Sequence, residues 1–274
     1  MLKRTIPSTG ESLSAIGLGT WQTFDVGDDP AQRDRLSDVL KTFVELGGTV
    51  VDSSPMYGRA EQVVGDLAAR LSLHGRLFLA TKVWTSGRAA GITQMESSFE
   101  KMRSPRLDLM QVHNLVDVYA HLDTLEEWKA AGRVRYVGIT HYQAGGHPAL
   151  VEVMRARRLD FVQVNYSAAE TQAAEAVLPV AQERGIAVLA NRPFAEGKLL
   201  KRLAAQPLPE CGRELDCQSW PELLIKFVLA HEAVTCVIPA TSSVDHLRAN
   251  MRAGSGALPD AKQRAAIVAA VQQS

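Results

Sequence analysis

Short and almost uninterrupted hydrophobic runs recur along the chain, separated by longer stretches in which apolar and polar residues mix. A strand with one face in water alternates apolar and polar residues, so runs without alternation indicate parallel strands that are covered on both faces. Eight runs are predicted as strands, at residues 15–20, 48–53, 77–83, 107–113, 134–140, 161–166, 187–190 and 234–239.

The stretches between these runs carry signals for the start and the end of helices. Asp29 followed by Pro30 is typical of an N-cap and a first helical residue, and Gly47 is typical of a helix end. Gly132 and Gly185, just before the fifth and seventh strands, are also typical of helix ends. Nine helices are predicted, at residues 30–46, 60–71, 92–102, 121–131, 148–157, 173–184, 221–231, 244–251 and 260–272.

Eight strands that alternate with helices in 274 residues predict an α/β fold, a (β/α)₈ TIM barrel. The competing architecture is a doubly wound open sheet, which places a G-x-G-x-x-G turn after its first strand. Residues 17–21 lack the third glycine and lead into a polar loop. Two short segments, 3–7 and 12–15, flank a glycine turn and predict a β-hairpin that plugs the N-terminal end of the barrel. Residues 1–274 are expected to form a single domain.

Residues 192–219 are the longest stretch without a clear pattern and contain several prolines and glycines. Long loops in compact domains are usually functional or disordered. Because this stretch follows the seventh strand, we expect a lid or a ligand-binding loop, with a tolerated insertion as the alternative.

Composition and charge narrow the class of protein. The 30 basic and 30 acidic side chains leave no net charge, which argues against a nucleic acid or an anionic membrane as the main partner. Cys211, Cys217 and Cys236 form no C-x-x-C motif, and the seven histidines are scattered, so no metal site is expected. A bond between Cys211 and Cys217 in an oxidising compartment stays open.

The chain has no apolar run of the roughly 18 residues that a membrane-spanning helix needs, and no signal-peptide pattern at its start. We therefore expect a cytoplasmic protein, with export after removal of a signal segment as the alternative. A monomer is expected, because no apolar surface helix is evident.

Titratable residues stand at the ends of three consecutive predicted strands: Asp52, Lys82 and His113. Tyr57 follows Asp52 in a loop. The C-terminal strand ends of a barrel carry its chemistry, so these side chains are expected to converge there. Lys82 beside the Tyr57 hydroxyl is expected to lower the pKa of the phenol and make it a usable acid. His113 can donate a hydrogen bond to the oxygen that gains charge.

Each of these residues also has an ordinary structural explanation. Asp52 and Lys82 could form a buried ion pair, His113 could be a hydrogen-bonded core histidine, and Tyr57 could be a packing residue. Their occurrence together favours the reduction of a carbonyl group to an alcohol. The hydride must come from a cofactor, because no side chain supplies one.

Six segments together resemble the aldo-keto reductases, over nearly the full chain: GLGTW (17–21), VDSSPMYG (51–58), TKVW (81–84), DLMQVH (108–113), GRVRYVGIT (132–140) and VIP (237–239). The resemblance implies a catalytic tetrad of Asp52, Tyr57, Lys82 and His113. It also implies a nicotinamide cofactor that extends across the C-terminal mouth of a barrel without a Rossmann domain.

Further site residues follow from the resemblance and from the strand ends. The expected cofactor-binding residues are Gly19, Thr20, Trp21, Asp52, Thr140, His141, Gln163, Arg192, Phe194, Thr241, Ser242, Ser243 and Asn250. The expected substrate-pocket residues are Trp21, Trp84 and Asn114.

The chain departs from the family pattern at three places. Thr140-His141 stands where Ser-Asn is usual, and Asn191 stands where a tyrosine usually stacks on the nicotinamide. Arg192 or Phe194 is expected to cover the ring instead. Ala240 and His246 replace the basic residues that usually hold the 2′-phosphate.

The sequence thus predicts NAD(P)H-dependent reduction of a small aldehyde or ketone, with Tyr57 as the general acid. NADPH is expected by a modest margin over NADH. One alternative is a non-catalytic nicotinamide-binding subunit or redox sensor on the same fold. Another is a lyase or isomerase with a Lys82 Schiff base, which needs a lowered lysine pKa that Asp52 opposes.

Overall fold

The structure, a computed structural model, describes residues 1–273. Over this part the chain forms ten β-strands: β1 (Lys3–Thr5), β2 (Ser12–Ser14), β3 (Leu18–Gly19), β4 (Val50–Asp52), β5 (Phe78–Val83), β6 (Leu107–His113), β7 (Val134–His141), β8 (Phe161–Asn165), β9 (Ala187–Asn191) and β10 (Val234–Val237).

The same residues form eleven α-helices: α1 (Pro30–Glu45), α2 (Ala60–Arg70), α3 (Arg88–Lys101), α4 (Val118–Ala130), α5 (His147–Ala156), α6 (Ala173–Arg184), α7 (Lys198–Leu203), α8 (Glu210–Glu214), α9 (Trp220–Leu229), α10 (Val244–Arg252) and α11 (Ala261–Gln272). None of the described helices is both long and apolar enough to span a membrane.

Strands β3 to β10 pair in chain order as one parallel sheet, with helices in the connections. The first and last strands also meet. The Gly17 N–H donates to the Val237 carbonyl at 2.8 Å, and the Gly19 N–H donates to the Pro239 carbonyl at 3.0 Å. These bonds close the sheet on itself, so the predicted (β/α)₈ barrel is confirmed.

Several predicted bounds differ from the structure, such as the helices predicted at 92–102 and 121–131, which begin at Arg88 and Val118. Two further differences change the description of the fold. The first barrel strand, predicted at 15–20, has a regular ladder only at Leu18–Gly19, because its other pairing consists of isolated bridges to the last strand. The stretch 192–219, predicted to be irregular, contains α7 and α8. The prediction was wrong because it followed the prolines and glycines of this stretch and not the apolar residues at helical spacing. Leu199 and Leu203 of α7 have this spacing and are buried against the core.

The predicted helix starts that bear on the site are confirmed. The Asp29 carboxylate accepts a hydrogen bond from the Ala31 N–H at 3.0 Å and caps α1. The Ser243 hydroxyl accepts one from the His246 N–H at 3.4 Å and caps α10. A capped helix start concentrates free N–H groups and the positive end of the helix dipole. Helix α10 follows β10, so this end lies at the C-terminal rim.

The N-terminal end of the barrel is closed by the hairpin of β1 and β2, as predicted. Lys3 pairs with Ser14, and Thr5 with Ser12, in an antiparallel ladder. One apolar cluster of fully or almost fully buried side chains fills the barrel from this end up to the cavity: Ile6, Leu13, Val50, Phe78, Ala80, Leu109, Tyr136, Phe161, Ala187, Leu189, Cys236 and Ile238. The polar side chains at the C-terminal ends of the strands therefore lie above a tightly packed apolar core.

Candidate active site

A cavity of about 560 Å³ lies at the C-terminal end of the barrel. Asp52 ends β4, His113 ends β6, and Tyr57 lies in the loop after β4; all three line the cavity. Lys82 lies beneath, near the end of β5 between those two strands. The three residues predicted at the strand ends and Tyr57 of the loop are therefore brought together.

Asp52 and Lys82 form a buried ion pair at the floor of the cavity. The Lys82 Nζ lies 2.7 Å from the Asp52 Oδ2 and also donates to the Ser53 carbonyl at 2.7 Å. The other Asp52 oxygen accepts from the Gln163 amide at 2.9 Å and from the Gln111 amide at 3.3 Å. Burial is the largest single effect on the pKa of Lys82 and lowers it, but the charge and hydrogen bond of Asp52 together with the contributions of Tyr57 outweigh burial and raise that pKa. Lys82 is therefore a fixed cation.

Tyr57 lies directly over this cation. The Lys82 Nζ is 5.1 Å from the centre of the Tyr57 ring, and its charge acts on the hydroxyl. Burial raises the pKa of Tyr57, and this effect is larger than the lowering by Lys82. The sequence prediction of a lowered pKa was wrong, because it counted the cation and left out desolvation. Tyr57 therefore keeps its proton at neutral pH.

His113 is a neutral imidazole at the same wall. Burial, together with the charges of Lys82 and His141, lowers its pKa to about 3. Its Nδ1 lies 3.2 Å from the Ser54 hydroxyl oxygen, which already accepts from the Met56 N–H. The Ser54 hydrogen can point at Nδ1, an arrangement that puts the proton of the ring on Nε2. The imidazole can therefore donate a hydrogen bond without carrying charge.

The three predicted substrate-pocket residues line the cavity. Trp21 and Trp84 are 37% and 43% exposed, which is unusual for tryptophan. Asn114 has a φ of +52°, and its buried Oδ1 has no hydrogen-bond partner in the described chain. An apolar wall with one unpaired acceptor is typical of a small-molecule site.

The predicted cofactor residues divide into two groups. Those that line the cavity are Gly19, Thr20, Trp21, Asp52, Gln163, Arg192 and Phe194. Those that lie outside its lining are Thr140, His141, Thr241, Ser242, Ser243 and Asn250.

Residues of the second group support the first or lie farther along the rim. The Thr140 hydroxyl donates to the Gln163 Oε1 at 3.3 Å and orients that amide. The Thr241 hydroxyl accepts from the Ser243 N–H at 3.1 Å, in the turn that opens α10. An extended ligand could therefore reach from the cavity to the start of α10.

Sequence reasoning missed several residues of the site, among them Gln111 and Tyr142. Gln111 is fully buried beneath Asp52, and its Oε1 has no partner among the described residues. A signal existed, because Gln111 stands two positions before His113 and so shares its face of the strand. Tyr142 lines the cavity and directly follows β7. An exposed aromatic residue just after a barrel strand could have pointed to it.

The family model described as "Aldo/keto reductase family" matches residues 15–271. A barrel with a buried Asp–Lys pair beneath a tyrosine and a histidine at its C-terminal mouth agrees with that match. The chain belongs to the aldo/keto reductase family, and the expectation of an oxidoreductase is confirmed.

Two kinds of relative extend this result. Methylglyoxal reductase YeaE of Escherichia coli (strain K12) is 28% identical over 259 residues, which cover 91% of this chain and 89% of the relative. An aldo-keto reductase from Klebsiella pneumoniae in complex with NADPH is 25% identical, with a TM-score of 0.81 over 99% of this chain and 96% of that one. The holo form of AKR11C1 from Bacillus halodurans has the same fold, with 24% identity and a TM-score of 0.81 over the same shares of the two chains.

Proposed function

We propose that this protein reduces the carbonyl group of small aldehydes or ketones with NADPH, and that Tyr57 is the general acid. One observation carries the proposal: a protonated phenol and a neutral imidazole line one cavity side by side, and a buried cation lies beneath the phenol. This arrangement suits an oxygen that gains negative charge and then takes a proton.

The cavity and its surroundings fit a dinucleotide. Buried polar atoms of Asn114, Asn191 and Arg192 have no partner in the described chain. The Gln163 amide has one free hydrogen and one free lone pair after its bonds to Asp52 and Thr140, and suits a carboxamide. We propose that the cofactor is held by Gly19, Thr20, Trp21, Asp52, Thr140, His141, Gln163, Arg192, Phe194, Thr241, Ser242, Ser243 and Asn250.

The start of α10 supports NADPH over NADH. Its free N–H groups and the Thr241, Ser242 and Ser243 hydroxyls favour an anion such as a 2′-phosphate. Asp245 in the first turn opposes an anion. A relative in complex with NADPH points the same way. We therefore assign NADPH with a modest margin, and NADH stays an alternative cofactor.

A bound reduced nicotinamide supplies the hydride. The residues of the chain do the rest. Tyr57 donates its proton to the carbonyl oxygen, and Lys82 stabilises the phenolate that remains. His113 donates a hydrogen bond from Nε2 to the same oxygen and orients it. Asp52 keeps Lys82 charged and in place through the contact of 2.7 Å.

Methylglyoxal is a reasonable first substrate, because YeaE is named a methylglyoxal reductase. The aromatic wall of Trp21 and Trp84 also suits larger apolar aldehydes. A Schiff-base enzyme is disfavoured for three reasons. The Lys82 side chain is fully buried, its Nζ donates hydrogen bonds to Asp52 and to the Ser53 carbonyl, and its pKa is raised. A sensor without catalysis has no use for this arrangement of acid and cation.

We further propose a single-domain monomer in the cytoplasm. Of the exposed large apolar residues described, Trp21, Met56, Trp84 and Tyr142 line the cavity, which leaves Met1 and Tyr119 elsewhere. Scattered apolar residues do not make a subunit interface. Cys211, Cys217 and Cys236 are free and buried, as is usual in a reducing compartment. Sedimentation of the purified protein tests the monomer.

The test of the function is the consumption of NADPH with methylglyoxal, followed by its absorbance, for the wild type and for Tyr57→Phe. We expect the variant to lose roughly 10² to 10⁴-fold in kcat/KM, because its ring remains and only the proton donor is gone. Calorimetric titration with NADPH should show nearly unchanged binding. Activity of Tyr57→Phe within about tenfold of wild type would overturn the assignment.

A further inference from the structure

A bridge of two side chains crosses the C-terminal end of β8. Tyr142 follows β7 and Arg192 follows β9, and β8 lies between these two strands in the sheet. The Arg192 guanidinium carbon is 5.5 Å from the centre of the Tyr142 ring, and its Nη1 donates to the Tyr142 carbonyl at 3.4 Å. The contact between Tyr142 and Arg192 therefore spans the end of β8, the strand that contains Gln163.

The position of Arg192 is fixed from several sides. Its Nη2 lies 3.2 Å from the Glu196 carboxylate, which also faces Lys198 at 3.6 Å. Arg192 and Glu196 have φ values of +55° and +59°, in the left-handed region that side chains other than glycine rarely adopt. Such conformations persist only where the surroundings hold them, and they cluster at ligand clamps. The guanidinium is therefore a preorganised charge.

This charge faces the cavity without a complete set of partners. The Arg192 Nε is buried and has no acceptor in the described chain. The other cation near the cavity, Lys82, is neutralised by Asp52 at 2.7 Å. His113 is uncharged at neutral pH, since its pKa is lowered to about 3. Glu196 lines the same cavity and offsets part of the Arg192 charge, and the exposed Lys198 at 3.6 Å offsets part of the Glu196 charge in turn. These three groups together leave a positive potential on this side of the cavity.

We propose that Arg192 makes this protein bind the reduced nicotinamide cofactor more tightly than the oxidised one. The inference rests on the proposed function, which places the nicotinamide against Tyr57 and Gln163 in the same cavity. The reduced ring is neutral, whereas the oxidised ring carries a positive charge. A fixed guanidinium repels a cationic ring and has no such repulsion with a neutral one. At the distances within one cavity, we expect Arg192 to contribute about threefold to tenfold to the ratio of the two dissociation constants.

Tighter binding of the reduced cofactor would favour one direction of the reaction. A site that disfavours the oxidised ring releases it sooner after the hydride has left. Arg192 would then favour carbonyl reduction over alcohol oxidation through product release, without touching the reacting atoms. Arg192 is in this sense a specificity residue for the oxidation state of the cofactor.

The test measures dissociation constants for NADPH and for NADP⁺ by calorimetry, without any substrate. We compare the wild type with Arg192→Gln, with Arg192→Lys and with Lys201→Gln, which removes an exposed cation from the neighbouring helix α7. Arg192→Gln should tighten NADP⁺ relative to NADPH by about threefold or more. Arg192→Lys, which keeps the charge, and Lys201→Gln should leave the ratio close to that of the wild type.

Removal of the partner charge should act in the opposite direction. Glu196→Gln should widen the ratio in favour of NADPH by a few-fold. An unchanged ratio in Arg192→Gln overturns the inference. So does an equal loss of affinity for both forms, which would place Arg192 on a group that they share, such as the pyrophosphate. Absence of binding of either cofactor to the wild type would instead count against the proposed function.

Discussion

At the N-terminal end of the barrel, Ile6 and Leu13 of the hairpin region pack against the aromatic side chains of Phe78, Tyr136 and Phe161. The ring centres of these three lie 5.6 to 5.9 Å apart. At the C-terminal end, the same strands surround a cavity of about 560 Å³. We call these the closed end and the open end.

Polar groups at the closed end are paired with one another. The Tyr136 hydroxyl donates to the Glu11 carboxylate at 2.5 Å, and Arg135 bridges Glu11 and Asp108. Asp160 accepts from Ser8 and from Lys129. Bonds of this kind fasten the hairpin to the barrel and leave little for a ligand to contact.

Polar groups at the open end are in part unpaired. Buried atoms of Thr23, Asn114, Asn191 and Arg192 lack partners in the described chain. Asn114 and Arg192 also have left-handed backbones. An unpaired buried polar group costs about 1–3 kcal/mol, so such groups are kept where a ligand pairs with them. The comparison indicates that the closed end provides stability and the open end provides chemistry.

The largest effect is expected from Lys82→Met at the open end. Loss of the cation should reduce kcat/KM by about 10³-fold and raise the pH at which Tyr57 loses its proton, because nothing then opposes the effect of burial. Unfolding should become easier by about 3–5 kcal/mol, since Asp52 is left buried without its partner. Asp52→Asn, which keeps Lys82, should be milder in kcat/KM. An active Lys82→Met would show that the pair is only structural.

At the closed end, Phe161→Ala should separate stability from chemistry. Truncation of a buried aromatic side chain costs about 3–5 kcal/mol, measured by denaturant unfolding. The kcat and KM of the folded fraction should stay within about twofold of wild type. Tyr136→Phe is the matched control, because it keeps the ring and removes one hydroxyl, at about 1 kcal/mol. A large change in kcat for Phe161→Ala would contradict the division between the two ends.

The open end should also be the acid-sensitive one. The pKa of His113 is lowered to about 3, so between about pH 6.5 and 3 the unfolded chain binds a proton that the folded chain does not. The stability contributed by neutral His113 is present above pH 6.5 and is lost as the pH falls. Between pH 7 and 4.5 this amounts to about 2–3 kcal/mol. Between pH 7 and 4.5, the free energy of unfolding of His113→Gln should therefore fall by about 2–3 kcal/mol less than that of the wild type. Equal falls for the two proteins would contradict the lowered pKa of His113.

The smallest effect concerns the choice of cofactor. We expect kcat/KM with NADPH to exceed that with NADH by about tenfold, or about 1.4 kcal/mol. Ala240 and His246 supply no permanent charge for the 2′-phosphate, so the margin is modest, and it should shrink as salt rises. Steady-state kinetics with one aldehyde measures it. A clear preference for NADH would show that the start of α10 does not bind the phosphate.

The sequence predicted the barrel and the convergence of Asp52, Lys82 and His113, because strand ends in a parallel barrel meet at one rim. It did not predict the direction of the pKa shift of Tyr57, which depends on how deeply the fold buries the ring. The bridge between Tyr142 and Arg192 was also not predicted, since it joins residues that are 50 positions apart across an intervening strand. Such contacts depend on loop backbones that no residue pattern specifies.

The most direct measurement is the dependence of kcat/KM on pH for carbonyl reduction by the wild type. Tyr57 must be protonated to act, and burial raises its pKa above the ordinary value of 10.0. Activity should therefore stay level from about pH 6 to 9.5 and fall only at higher pH. His113 should leave no step near pH 6.5, because its pKa is lowered to about 3. A fall centred near pH 6.5 would make a histidine the acid and contradict the role assigned to Tyr57.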